Sequence, residues 1–306
     1  MKKRVKILLQ TTIPFAEDDW NIGRFSLLQK HLSSLKDADG DPLYDVLAHD
    51  RETDENGNDP FIQTLPDSDI DELWLFAVDT GDGLSAADCA AITKFRQRGG
   101  GIFSTRDHND LGSSLCTLGG IGGAHFFHTR NLDPAPDRNQ RDDNVTMSID
   151  FPNYHSGSNG DYQRITPVNG NELLKRPDGS QIEYFPAHPH EGGVGLPDGD
   201  HSASVIATGT SKITGRPFNL VVAFERSTDR HGNRLGRAIA ESSFHHLVDY
   251  NWDIKMGCPT FLEEPPGHEI ENDPSRLADI KTYVENVARW LVDDMNGVRT
   301  NVNNEF

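Results

Sequence analysis

Basic residues are scarce in this chain: 29 Lys and Arg stand against 48 Asp and Glu, a formal charge of −19. A field of that sign repels phosphate backbones and anionic lipid, so neither a nucleic acid nor a membrane surface is an expected partner. Cations and small polar molecules such as sugars are compatible with it. Cysteine is scarcer still. Cys89, Cys116 and Cys258 are an odd set without a CxxC pair, which argues against a disulfide framework or a zinc knuckle. No apolar run approaches the ~20 residues that cross a bilayer. The stretch from Met1 to Gln10 has no h-region and no small-residue cleavage site, and it reads as a first buried strand rather than a signal. The expectation is a cytoplasmic protein.

What is present is a strand-and-helix alternation. Strands are expected over Val5 to Gln10, Tyr44 to Ala48 and Asp71 to Val78, the last a nearly continuous apolar run of the kind buried on both faces. Phe25 to Leu32 repeats apolar residues at helical spacing. Ser85 with Asp88 three positions on reads as a capping box for a second helix, which Gly99 to Gly101 stop before a strand at Ile102 to Thr105. Further strands are expected at Val145 to Ile149, Ala203 to Thr208, Asn219 to Glu225 and Arg237 to Ser243. A long amphipathic helix follows over about 275–296, with Ser275 as its cap. This order predicts an α/β fold with a doubly wound, mostly parallel sheet flanked by helices, as one domain over 1–306 with an insertion at about 131–200.

Polar clusters follow two of the apolar strands. Arg106, Asp107, His108 and Asp110 follow the strand ending at Thr105; Glu241 to His246 and Asp249 follow the late strand. Open α/β sheets place their sites at such carboxyl ends. Imidazole and carboxylate suit a divalent metal or general acid/base work, and both alternatives stay open. Two adjacent histidines on a strand end point to opposite sides, so only one of His245 and His246 faces a cleft. If Phe244 to Tyr250 begins a helix, Asp249 shares a face with His245 and orients it. His188, His190 and Glu191 form a third set, with Pro189 keeping both imidazoles on one side of an extended segment. The bland readings are helix caps at Asp107 and Asp110, a surface loop at 188–191, and ordinary packing for the glycine-rich stretch Gly119 to His128, where His125 and His128 share a helical face if a helix forms.

In this order, the N-terminal strand, the Asp71 to Val78 segment, the Gly99 to His108 strand and turn, and the late strand ending in Phe244-His245-His246 resemble the class I glutamine amidotransferase-like fold (flavodoxin-like), and within it the ThuA-like (trehalose-utilisation) group. The resemblance covers the core and leaves 131–200 unexplained. It implies a link to carbohydrate metabolism. The family's working enzymes carry a cysteine nucleophile in the turn that here reads Thr105-Arg106-Asp107-His108. Cys116 lies eight residues past His108. The usual thioester route to glutamine hydrolysis therefore lacks its thiol. The expected function is an enzyme, a hydrolase acting on a small polar molecule. His245, Asp107, His108 and Asp249 would carry the chemistry, and Arg106, His246, His188, His190 and Glu191 would contact the substrate. A non-catalytic binding or assembly module on the same scaffold is the alternative. A homo-oligomer is compatible with either, since large α/β domains often assemble symmetrically.

Overall fold

A computed structural model describes residues 4–142, 146–229 and 231–292. Eight strands form the main sheet: β1 Val5–Thr11, β2 Tyr44–His49, β3 Glu72–Phe76, β4 Gly101–Thr105, β5 Thr166–Pro167, β6 Ala203–Thr210, β7 Pro217–Phe224 and β8 Ala238–Glu241. Their spatial order is β2-β1-β3-β4-β8-β7-β6-β5. The first five in this order run parallel, and β7, β6 and β5 extend the sheet antiparallel. The fold is thus α/β with a mixed sheet.

Alternation along β1 explains the two-sided core. Ile7 and Leu9 pack with Trp74, Phe76, Phe103 and Ile239 on one face, while Leu8 packs with Leu73, Leu75, Ile102 and Ala240 on the other. The helices α1 Ser26–Ser34 and α3 Leu277–Val292 cover the first face through Leu28, Leu32, Ile280, Val284 and Val287. The helix α2 Ala86–Gln97 covers the second through Cys89, Ile92 and Phe95. The capping box at Ser85 and Asp88 is present in both directions. Among the described residues, no helix is long and apolar enough to cross a membrane.

Three expectations change. Residues 146–149 are turn and coil rather than strand, and Val145 lies outside the described residues. The last helix begins at Leu277, after a 3-10 turn that contains Ser275; residues 293–306 lie outside the described set. Most important, Phe244 to Tyr250 is not a helix. It forms two 3-10 turns, Phe244–His246 and Asp249–Asn251, separated by an extended Val248. That break turns Asp249 away from the His245 imidazole.

Asp249 instead caps α1, accepting hydrogen bonds from Ser26 N at 3.2 Å, Leu27 N at 2.7 Å and the Ser26 hydroxyl. Asp249→Ala is expected to lower stability by about 1–2 kcal/mol, as loss of a cap does, in urea unfolding. A loss of metal or substrate affinity with stability unchanged would restore the orienting role.

Candidate functional site

The register sets the site. Thr105 of β4 pairs with Glu241 of β8, so the two polar turns leave the sheet side by side at its carboxyl edge. A third segment, 187–192, comes from the excursion between β5 and β6 and lies across both. Its approach requires a glycine: a Cβ on Gly192 would sit 2.3 Å from Ser242 O and 2.6 Å from Asp107 O.

Asp107, His188 and His245 converge there, all buried, with one ligating atom from each lying within 4.8 Å of the others. His188 Nε2 is 3.4 Å from Asp107 Oδ1, and His245 Nε2 is 3.6 Å from Asp107 Oδ2. The two imidazoles stack with centroids 3.6 Å apart and planes within 9°. Trp20 closes the other side, edge-on to His245 at 4.8 Å. The Ser243 hydroxyl donates to Asp107 Oδ1 at 3.0 Å, and its oxygen accepts from His245 N at 3.1 Å.

The hydrogen bonds fix the His188 tautomer. The Asn251 amide nitrogen donates to two carbonyls, His245 O at 2.8 Å and Ala187 O at 3.2 Å, and Asn251 Oδ1 accepts from Gly160 N. Asn251 Nδ2 also faces Asn159 Oδ1 at 3.0 Å, sharing its two hydrogens among three oxygens, so this atom is the accepting end of the Asn159 amide. His188 Nδ1, 3.0 Å from that oxygen, must carry the proton. In the neutral ring, Nε2 then presents a lone pair to a carboxylate oxygen, and it has no hydrogen-bond partner. Burial holds the His188 and His245 pKa values well below the usual imidazole range, and the facing histidines add to this; the carboxylate of Asp107 opposes it at His245.

His108 and His190 flank this centre. His108 Nε2 lies 3.7 Å from Asp107 Oδ2, and its side chain is 23% exposed, so it marks the open side. His190 meets His108 edge-on at 5.5 Å and reaches Asn153 Oδ1 and Glu264 Oε1 at 3.0 and 3.1 Å. Glu264 was not singled out by sequence. It lies in a coil among other acids, and only the fold brings it to His190.

Other expected contacts are placed elsewhere. Arg106 is fully buried, its guanidinium 4.2 Å above the Phe127 ring and bonded to the carbonyls of Asn109 and Leu111. Burial lowers its pKa to about 9 against the pull of Asp107. It holds the turn and faces no cleft. His246 points backward into the core, opposite to His245, and bonds Glu191 Oε1 at 2.9 Å and Glu241 Oε1 at 3.0 Å, all three fully buried. His246 and Glu191 are therefore engaged with each other and with Glu241, on the side away from Asp107. Asp110 accepts from Thr129 rather than capping a helix. His125 and His128 do not share a helical face: His125 is buried against Ser104, and His128 is exposed. Cys116 packs with the cluster on the sheet face opposite Phe244.

No protein-family model matches the chain, and no curated protein matches it. Solved structures are similar in fold. The mmIFT52 N-terminal domain is 12% identical with a TM-score of 0.50, covering 93% of this chain and 96% of that one. The glutaminase domain of Trypanosoma brucei CTPS with bound acivicin is 14% identical with a TM-score of 0.46, over 93% and 92%. A protein described as ThuA-like from Parabacteroides merdae is 15% identical with a TM-score of 0.44, over 78% and 79%. At these identities the likeness is one of fold alone.

Buried histidines make stability depend on pH in two opposite senses. The His125 pKa is lowered to about 3 by burial, so below pH ~6.5 the unfolded chain binds a proton that the folded one refuses, and stability falls on acidification. Burial alone would lower His246 too, but Glu191 and Glu241 outweigh it and raise the pKa to about 10. Its contribution is complete below pH ~6.5 and lost as pH rises toward 10. Urea midpoints of the metal-free protein should fall at both ends. The alkaline fall should shrink in His246→Gln, and an identical alkaline slope in that variant would contradict the assignment.

Proposed function

We propose that this protein is a metal-dependent hydrolase of a small polar, carbohydrate-like molecule, on a ThuA-like scaffold that lacks the glutaminase thiol. One observation carries the reading: a carboxylate and two imidazoles, all buried, with one ligating atom from each within 4.8 Å of the others. A tetrahedral centre with bonds of about 2.0–2.1 Å has ligand–ligand edges of about 3.3–3.4 Å. The Nε2–carboxylate separations are of that size, 3.4 Å from His188 to Oδ1 and 3.6 Å from His245 to Oδ2, a different oxygen facing each ring. Catalytic zinc sites use three protein ligands and leave a fourth position for water or substrate. A divalent ion held by Asp107, His188 and His245 would polarise a substrate oxygen and lower the pKa of bound water.

The residues divide the remaining work. Asp107 contributes negative charge, held by the Ser243 hydroxyl. The Asn159–Asn251 relay keeps His188 Nε2 free of a proton. His108, on the open side, takes or returns a proton at Nε2, and His190 with Glu264 borders the entry. The formal charge of −19 favours a neutral or cationic substrate over a polyanion. A cytoplasmic setting and a homo-oligomeric assembly belong to the same proposal.

Protein dialysed against zinc should retain one ion per chain and gain thermal stability that a chelator removes. Asp107→Ala, His188→Ala and His245→Ala should abolish retention. Assayed on a panel of small esters and glycosides, His108→Ala should keep the metal and lose about 10²–10⁴-fold in turnover. Wild-type protein without stoichiometric metal would refute the proposal. Metal retention without turnover on any substrate class would favour the non-catalytic binding module.

A further inference from the structure

Of the three proposed ligands, Asp107 and His245 sit on adjacent strand ends and inherit their separation from the sheet. His188 does not. It belongs to an excursion of the chain, and something must hold that excursion in register with the turn. We infer that Glu191 and His246 are positioning residues: their buried ion pair straps the His188 segment onto the His245 turn and so sets the distance from His188 Nε2 to Asp107. The inference rests on the metal reading above.

The geometry is a double coupling of near neighbours. His188 and His245 stack at the centre, while Glu191, three residues on, and His246, one residue on, bond at 2.9 Å behind it. Everything around Glu191 serves this strap. Its Oε1 accepts from the Ser156 hydroxyl at 2.9 Å and from Gln163, and its Oε2 accepts from the Ser242 hydroxyl at 3.1 Å. Its backbone pairs with Tyr154 in both directions, at 2.7 and 2.9 Å. Gly192 N donates to Ser242 O at 3.1 Å, bringing excursion and turn into direct backbone contact. Ser156 also accepts from His188 N, so one hydroxyl touches both the proposed ligand and its strap.

Stability alone is a poor reason for such a cluster. A buried ion pair is often replaceable by apolar residues without loss, because desolvation offsets the Coulomb gain. What the ion pair adds is direction, since its hydrogen bonds and charge together favour one alignment of the two segments. Glu241 completes the cluster from inside β8, holding the ring at Nδ1. It lies on the sheet side of His246, so a substitution there perturbs the same buried cluster without cutting the strap.

This difference gives the test. Zinc affinity is measured by competition with a chromophoric chelator, and cobalt(II) is added to read the ligand field, for wild-type, Glu191→Gln and Glu241→Gln full-length protein. Glu191→Gln is expected to weaken zinc binding about 10–100-fold, the usual loss when a residue supporting a ligand is changed, and to shift the cobalt absorption bands. Glu241→Gln, which leaves every bond between the 187–192 segment and the His245 turn in place, is expected to lose less than the lower end of that range and to keep the wild-type spectrum. Should Glu191→Gln fail to fold, Ser156→Ala carries the comparison with a loss at the low end. Wild-type affinity and spectrum in the strap variants, or equal losses in Glu191→Gln and Glu241→Gln, would overturn the positioning role. Wild-type protein that takes up neither ion brings down the centre itself and the strap with it.

Discussion

Two imidazoles are pressed against one carboxylate out of water, and the surrounding hydrogen bonds keep them there. Asp107 faces His188 Nε2 and His245 Nε2 at 3.4 and 3.6 Å, and the Asn159 amide oxygen takes the proton that His188 carries on its other nitrogen. At His188 a lone pair facing the carboxylate across that gap is repelled unless a cation or a proton lies between them. Burial makes the proton expensive, because a charged imidazole loses its hydration. Under the proposed reading a cation would resolve the conflict, its ligands already held by the surrounding hydrogen bonds.

The sheet and the excursion share the construction unequally. Parallel β4 and β8 deliver two polar turns to one edge without further help. The third ligand depends on the chain returning over that edge, on the bare α-carbon of Gly192, and on the Glu191–His246 bridge. Strand ends are a robust place for two groups, and a long crossover is a costly place for the third. The buried ionic cluster behind the site is the physical expression of that asymmetry.

The legible part of the site was the part governed by local rules. Alternation along an extended turn said that His245 and His246 diverge, and they do: one faces the centre and the other the core. The apolar strands and the capping box at Ser85 were readable for the same reason. The pairing of Asp249 with His245 needs helical spacing across Val248, where the backbone is extended. An arginine in such a turn suits an anionic or hydroxyl group of a substrate, but the Arg106 guanidinium is folded under the turn onto Phe127. His188 was visible as a residue with suitable chemistry, but its meeting with Asp107 spans 81 positions and depends on tertiary packing. Glu264 carried no local signal at all.

Anomalous diffraction at the zinc edge, from crystals of the wild-type protein soaked in zinc, tests the central claim most directly. The account requires a single strong peak within bonding distance of Asp107, His188 Nε2 and His245 Nε2, about 2.0–2.2 Å from each. An empty centre with the metal bound only at surface carboxylates would contradict it.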